Sequence, residues 1–250
     1  MPVLSYQLYS SRNFNDVQQT CAMLAALGYE AVEAYGGLLN DPEALVQAVT
    51  SSGLALPSTH VNLTDLEADP DRFIHLAGRL GIGTLYVPHI AADQRPTGGD
   101  GWRAFGARLD RAGAPLRKAG LGFGWHNHDF EFVAEDDGTI PMQAILEGGP
   151  DLEWEADIAW IVRGGGDPFD WLARYADRIT AAHVKDIAPS GEKLDEDGWS
   201  DPGTGTMDWA ALYEALRGTR AKVLVMEHDN PSDDERFAKA GVALHATQEG

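Results

Sequence analysis

Short apolar runs alternate with longer stretches of helical spacing along the whole chain. Val3–Tyr9 reads as a strand, and Phe14–Leu27 as a helix stopped by Gly28. Glu30–Tyr35 is the next strand, and Asp41 with Pro42 opens a helix that runs to Gly53. The alternation continues with strand Leu56–Asn62, helix Asp69–Leu80 closed by Gly81, strand Thr84–Ile90, and helix Trp102–Ala119 closed by Gly120. Then come strand Leu121–Asn127, helix Pro141–Glu147 and strand Leu152–Trp160, followed by a helix capped by Asp167 and Pro168 that carries Trp171 and Tyr175. Strand Ile179–Ile187, helix Asp208–Leu216, strand Val223–Asp229 and helix Asp233–Ala246 complete the pattern.

Eight strand-helix units in strict alternation predict a parallel sheet, because parallel neighbours need a crossover between them. Eight units in 250 residues suit a closed (β/α)8 barrel better than an open sheet. A dinucleotide-binding sheet would want G-x-G-x-x-G after its first strand, where this chain has SSRNFN. No linker or composition break interrupts the pattern, so a single domain over 1–250 is expected.

Charge narrows the function. Thirty-nine acidic residues against nineteen basic ones give a formal charge of −20. Such a field repels phosphate backbones and anionic headgroups, which disfavours nucleic-acid and membrane partners. The lone cysteine, Cys21, has no partner for a disulfide and sits in an apolar helical stretch as core filler. Neither a signal segment nor a spanning run is legible, so a cytoplasmic location is expected.

In such barrels the active site forms where strands end and βα loops begin. The polar residues at those places are Gln7, Glu33, His60 with Asn62, His89, the run His126-Asn127-His128, Asp157, His183 with Lys185 and Asp186, and Glu227 with Asp229. Ionisable groups gathered in a packed barrel are costly without partners or a metal. The last four strands offer His126, Asp157, His183 and Glu227, one each. Imidazole nitrogen and carboxylate oxygen together suit one divalent ion, with manganese foremost and Zn, Fe, Co or Mg as alternatives. Side-chain alternation puts His183 with Lys185, Glu227 with Asp229, and His126 with His128 on shared faces, and turns Asn127 and His228 away. The glycine-rich segment from Asp201 to Met207 reads as a turn or as a close approach to a ligand. Among the tryptophans, Trp160 is the one placed to line a pocket.

The segments GFGWHNHDFEF (122–132), EADIAWIVRGGGDP (155–168), HVKD (183–186), DPGTGTMDW (201–209) and VMEHD (225–229) resemble the xylose isomerase-like TIM barrels of the sugar phosphate isomerase/epimerase family. The resemblance runs across the whole chain and is strongest from residue 121 on. It implies a metal held by Glu, Asp, His and Glu from strands five to eight. Asp157, His183 and Glu227 match three of these. The first position departs, with His126 where a glutamate is usual. That leaves His126, His128 or Glu131 as the strand-five ligand, with His126 the first choice.

The departure also removes one of the two glutamates that such epimerases are thought to use as paired acid and base. What remains is Glu227 or Glu131 as base, Lys185 to stabilise oxyanion charge, and His60, Trp160, His128 and Glu33 to contact substrate. The expected activity is metal-dependent isomerisation or epimerisation of a small carbohydrate by proton abstraction beside a carbonyl. The alternative is a lyase or dehydratase acting on a keto sugar or 3-keto-glycoside. An AP-endonuclease-like nuclease would want more metals and a basic face, and a non-catalytic sugar-binding subunit would have no use for an intact metal ring. A neutral sugar is favoured over a phosphorylated one, and self-association into a homo-oligomer is a further expectation.

Overall fold

The computed structural model describes residues 2–248. The expected domain over 1–250 therefore includes three terminal residues that lie outside the described ones. Among the described residues there are ten strands: β1 Val3–Gln7, β2 Ala31–Ala34, β3 Ala55–His60, β4 Thr84–Val87, β5 Gly122–His126, β6 Glu153–Asp157, β7 Ile179–Val184, β8 Asp186–Ile187, β9 Trp199–Ser200 and β10 Val223–Met226. Eight of them close into one parallel barrel in the order β1-β10-β7-β6-β5-β4-β3-β2, while β8 and β9 pair antiparallel beside it. Helices follow the barrel strands and cover their outer faces with one continuous apolar core. Among the described residues no helix is long and apolar enough to cross a membrane.

Several strands end earlier than the apolar runs suggest, each for a local reason. The first stops at Gln7, whose side-chain oxygen accepts from the Tyr9 amide and starts a 3-10 turn over Leu8–Ser11. The fourth stops at Val87, next to Pro88, which has no amide to give to a ladder. The sixth stops at Asp157, which caps a helix over Ile158–Arg163 and so moves Trp160 from strand to helix. The seventh stops at Val184, because Asp186 and Ile187 leave the barrel to pair with Ser200 and Trp199. The eighth ends at Met226, putting Glu227 and Asp229 in the loop beyond. The helix expected over Asp69–Leu80 is preceded by a short one, Leu63–Ala68, capped by Asn62. Asn62 is therefore a capping residue as well as a strand-end polar group.

Two layers fill the lumen. Lower down, Tyr86, Ala181, Val223 and Val225 form a small apolar cluster separate from the outer core. Above it the register sets polar residues side by side: Gln7 beside Glu33, Glu33 beside Ser58, His126 beside Glu155, and Asp157 beside His183. The polar groups thus sit in a layer of their own above this apolar cluster.

Glycine sets the closest contact in the helical layer. The helices Gly98–Lys118 and Pro141–Gly148 touch backbone to backbone. A Cβ added at Gly106 would lie 2.1 Å from the Ile145 carbonyl oxygen, and one at Gly148 would lie 2.0 Å from that of Arg103. Gly106→Ala should therefore cost about 2–3 kcal/mol through forced separation of the helices. The expected readout is a melting temperature lowered by roughly 5–10 °C. An unchanged melting temperature would contradict this packing.

Candidate metal centre at the barrel mouth

The mouth is a cavity of about 470 Å³ whose wall includes Tyr9, Tyr35, His89 and His128 and whose floor includes His60, His126 and Glu227. That volume suits a small molecule of monosaccharide size. His126, Asp157, His183 and Glu227 converge here: one ligand atom from each lies within 4.8 Å of every other, and all four residues are buried. Their strands are neighbours in the barrel, so the convergence follows from topology and register.

Each member is held by its surroundings. Asp157 is positioned from behind by Asn127, which projects to the outer face. The Asn127 side chain accepts from the Asp157 amide at 3.0 Å and from the Trp154 indole at 2.8 Å, and donates to the Asp157 carbonyl at 3.1 Å. Asp157 Oδ1 accepts from the Trp160 amide, while Oδ2 is buried without a hydrogen bond, 3.3 Å from Lys185 Nζ. Burial pushes the Asp157 carboxyl up to about 6, against the pull of Lys185. His183 places Nδ1 2.8 Å from Glu227 Oε2 and Nε2 2.9 Å from Glu33 Oε1. Burial alone would lower its pKa, but Glu155 and Glu227 outweigh that and raise it well above the ordinary value. Burial and the neighbouring His183 take His126 down to about 3, so it is a neutral imidazole.

Lys185 is fully buried and contacts three carboxylates: Asp229 at 2.8 Å, Glu227 at 3.0 Å and Asp157 at 3.3 Å. Two further carboxylates, Glu33 and Glu155, lie deeper in the lumen against His60 and His183. The donors are hard carboxylate oxygens and borderline imidazole nitrogens, and Asp157 Oδ2 accepts no hydrogen bond, facing only Lys185. This set fits a divalent cation.

The remaining predicted site residues divide. His60 lines the cavity, but its ring nitrogens are engaged: Nε2 with Glu155 at 2.6 Å and Glu33 at 3.2 Å, Nδ1 with Gln7 at 3.5 Å. His128 lines it with an unpartnered Nδ1, and burial keeps its pKa well below the ordinary value. Trp160 is set back behind His128, ring centroids 5.3 Å apart, and packs edge-on against Trp199 at 4.7 Å.

Glu33 corrects the expectation of substrate contact. It is fully buried beneath the mouth, accepting from Gln7 Nε2 at 2.8 Å and from the Ser58 hydroxyl. Glu131 corrects the expectation of a base or ligand. The chain turns back through Phe130–Phe132 after His128, and Glu131 is drawn behind the sheet to accept from the Trp125 indole at 3.0 Å and the His128 amide at 2.9 Å. Trp125 belongs to the outer layer, edge-on to Phe105 of a covering helix. The glycine-rich loop is a turn: the amides of Ile187, Gly203, Gly205 and Met207 all donate to the Asp186 carboxylate. A Cβ at Gly205 would fall 2.3 Å from that carboxylate, which explains the small residue there.

Glu155 and the tyrosines Tyr9 and Tyr35 are the residues that reading strand ends misses. Glu155 has a signal in the sequence: Glu153, Glu155 and Asp157 occupy every second position of a buried strand, with Trp154 and Ala156 between them. Acids at that period mark the lumen face.

The sequence matches the family described as xylose isomerase-like TIM barrel over residues 21–247. The chain belongs to that family. Similar structures include a sugar phosphate isomerase/epimerase from Parabacteroides distasonis, with TM-score 0.80 and 20% identity over 97% of this chain and 92% of that one. Another is the IOLI protein with a bound zinc atom, with TM-score 0.75 and 13% identity over 99% of this chain and 96% of that one. Among curated relatives, the rhizopine catabolism protein MocC of Rhizobium meliloti is 22% identical over 90% of this chain and 79% of its own length. Inosose dehydratase of Lacticaseibacillus casei is 26% identical over 61% of this chain, which spans about half (53%) of that enzyme. The proteins to which this chain is similar are thus described variously as isomerase/epimerase and dehydratase.

The Glu131 position yields a pH test. Burial raises its carboxyl to about 8 against the opposing hydrogen bonds. The folded protein therefore keeps a proton that the unfolded chain releases near 4.5, and wild-type stability falls as pH rises between those values. Glu131→Gln does not titrate and loses one hydrogen bond, about 1 kcal/mol. In urea unfolding its deficit relative to wild type should be largest at pH 5 and shrink towards pH 8. A deficit that widens with pH would refute the assignment.

Proposed function

We propose that the chain is a metal-dependent enzyme that removes a proton beside the carbonyl of a small, neutral keto sugar or keto polyol. His126, Asp157, His183 and Glu227 hold one divalent ion, which when bound polarises the carbonyl and acidifies the adjacent C–H. The observation that carries this reading is the joint burial of those four donors with their ligand atoms within 4.8 Å of one another, two of them, His126 and Glu227, lining the cavity.

Glu227 is the base. Lys185 and His183 keep it ionised despite burial, and it forms part of the cavity wall. Lys185, expected from the sequence to steady oxyanion charge, does not line the cavity and acts instead through the three carboxylates it pairs with. His128 and His89 contact hydroxyl groups, and Tyr9 and Tyr35 flank the carbon skeleton. In the barrel order β4, which leads to His89, lies opposite β10, which leads to Glu227. The wall facing the base thus carries imidazole rather than a second glutamate. Epimerisation by paired carboxylates loses its second partner. Chemistry in which one carboxylate takes and returns the proton on the same face fits the mouth better. For an aldose–ketose shift the proton returns to the adjacent carbon. For dehydration it leaves with the β-hydroxyl as water, and the electron pair of the C–H bond becomes the new double bond. The likeness to inosose dehydratase adds weight to dehydration.

A neutral substrate is favoured by what the site lacks. No lysine or arginine lines the cavity, Lys185 is spent on three carboxylates, and the amides of the glycine-rich loop are spent on Asp186.

Two measurements test the reading. Metal analysis of the purified protein should give one divalent ion per chain. His126→Ala, Asp157→Ala, His183→Ala and Glu227→Ala should each weaken retention at least tenfold; stoichiometric metal in all four variants would overturn the site. Metal-loaded enzyme should introduce deuterium from D2O beside the carbonyl of a keto polyol or ketose, with mass loss of one water if dehydration follows. Glu227→Gln should slow this by about 100-fold or more. No exchange across a broad panel would refute proton abstraction.

A further inference from the structure

The underside of the metal set has a second group of donors. His60, His126, Glu155 and His183 also lie with one ligand atom each inside a common 4.8 Å. His126 and His183 belong to both groups. A neutral imidazole has one lone pair and one N–H, so neither ring can ligate upward and downward together.

The hydrogen bonds show which way each ring is committed. Glu155 Oε2 lies 2.6 Å from His60 Nε2, 3.1 Å from His126 Nδ1 and 3.3 Å from His183 Nε2. One carboxylate oxygen thus meets ring nitrogens from three strands, and Glu155 Oε1 has no partner. An ionised carboxylate only accepts, so all three nitrogens face it as N–H donors. His183 Nε2 has a second acceptor in Glu33 Oε1 at 2.9 Å, so its proton is held from two sides.

We infer that Glu155 is a positioning residue that fixes a proton on His126 Nδ1, and with Glu33 one on His183 Nε2, so that His126 Nε2 and His183 Nδ1 are the nitrogens turned to the metal, which would displace any proton shared between His183 Nδ1 and Glu227. This rests on the metal reading proposed above. His60 is then a third donor that orients Glu155 and is itself no ligand. A carboxylate behind a ligating imidazole fixes ring orientation and raises ligand basicity. In this chain one carboxylate serves two ligands. That matters more here than in a ring with glutamate on strand five, because half of the four ligands are imidazoles with a choice of nitrogen.

The test uses full-length protein loaded with Zn2+ and ¹⁵N-labelled at histidine. Long-range ¹H–¹⁵N spectra should show His126 protonated on Nδ1 and His183 on Nε2, with one zinc per chain. In Glu155→Gln, an amide N–H₂ group replaces one acceptor. Zinc affinity measured against a chromophoric chelator should fall 10–100-fold, with the His126 signature lost or inverted. A purely structural role for Glu155 would lower the melting temperature and leave both zinc readouts unchanged, which overturns the inference while the metal site stands. The opposite tautomers in wild type overturn it without recourse to any variant. Two zinc ions per chain, one lost in His60→Ala, would make the lower group a second metal site and also overturn it. Wild type that binds no zinc or other divalent ion would remove the metal reading and the inference together.

Discussion

One buried ammonium ties together the three strand ends on which the site depends. Lys185 follows β7, and its Nζ reaches Asp157 at the end of β6 and both Glu227 and Asp229 beyond β10. Removing the ammonium would leave three neighbouring carboxylates without compensation, which is far more costly than losing an exposed pair. The arrangement is still short of positive charge. Three carboxylates contact this lysine, Glu33 and Glu155 lie deeper against His60 and His183, whose pKa values they raise, and burial works against ionisation of all five acids. A divalent cation is the simplest remedy, so the electrostatics of the fold and the proposed chemistry meet at the same place.

The barrel was legible because its signals are local. Alternating runs, Asp-Pro helix starts and glycine stops recur in order, and eight such units leave few parallel topologies. The ring of His126, Asp157, His183 and Glu227 was legible for a related reason: polar residues at the ends of buried strands stand out. What misled was direction beyond the strand end. Glu131 lies only five residues past His126, yet one 3-10 turn sends it to the opposite side of the sheet. Glu33 sits at a strand end in the lumen but one layer too low to meet substrate.

Glu155 was missed through the opposite error, attention to strand ends alone. Its position two residues before Asp157 puts it on the same face and one layer down. The lumen of this barrel is polar in its upper layer and apolar only below, where Tyr86, Ala181, Val223 and Val225 pack. A reading that expected apolar filling throughout had no place for a glutamate there.

Asn127 points away from the substrate, yet it grips the backbone of Asp157 on both its amide and its carbonyl and is itself held by the Trp154 indole. The layer between sheet and helices, usually read as packing, is here wired to the candidate metal centre. A change in that layer can therefore shift Asp157 without touching any residue that lines the cavity, and a catalogue of pocket residues alone would miss where such change begins.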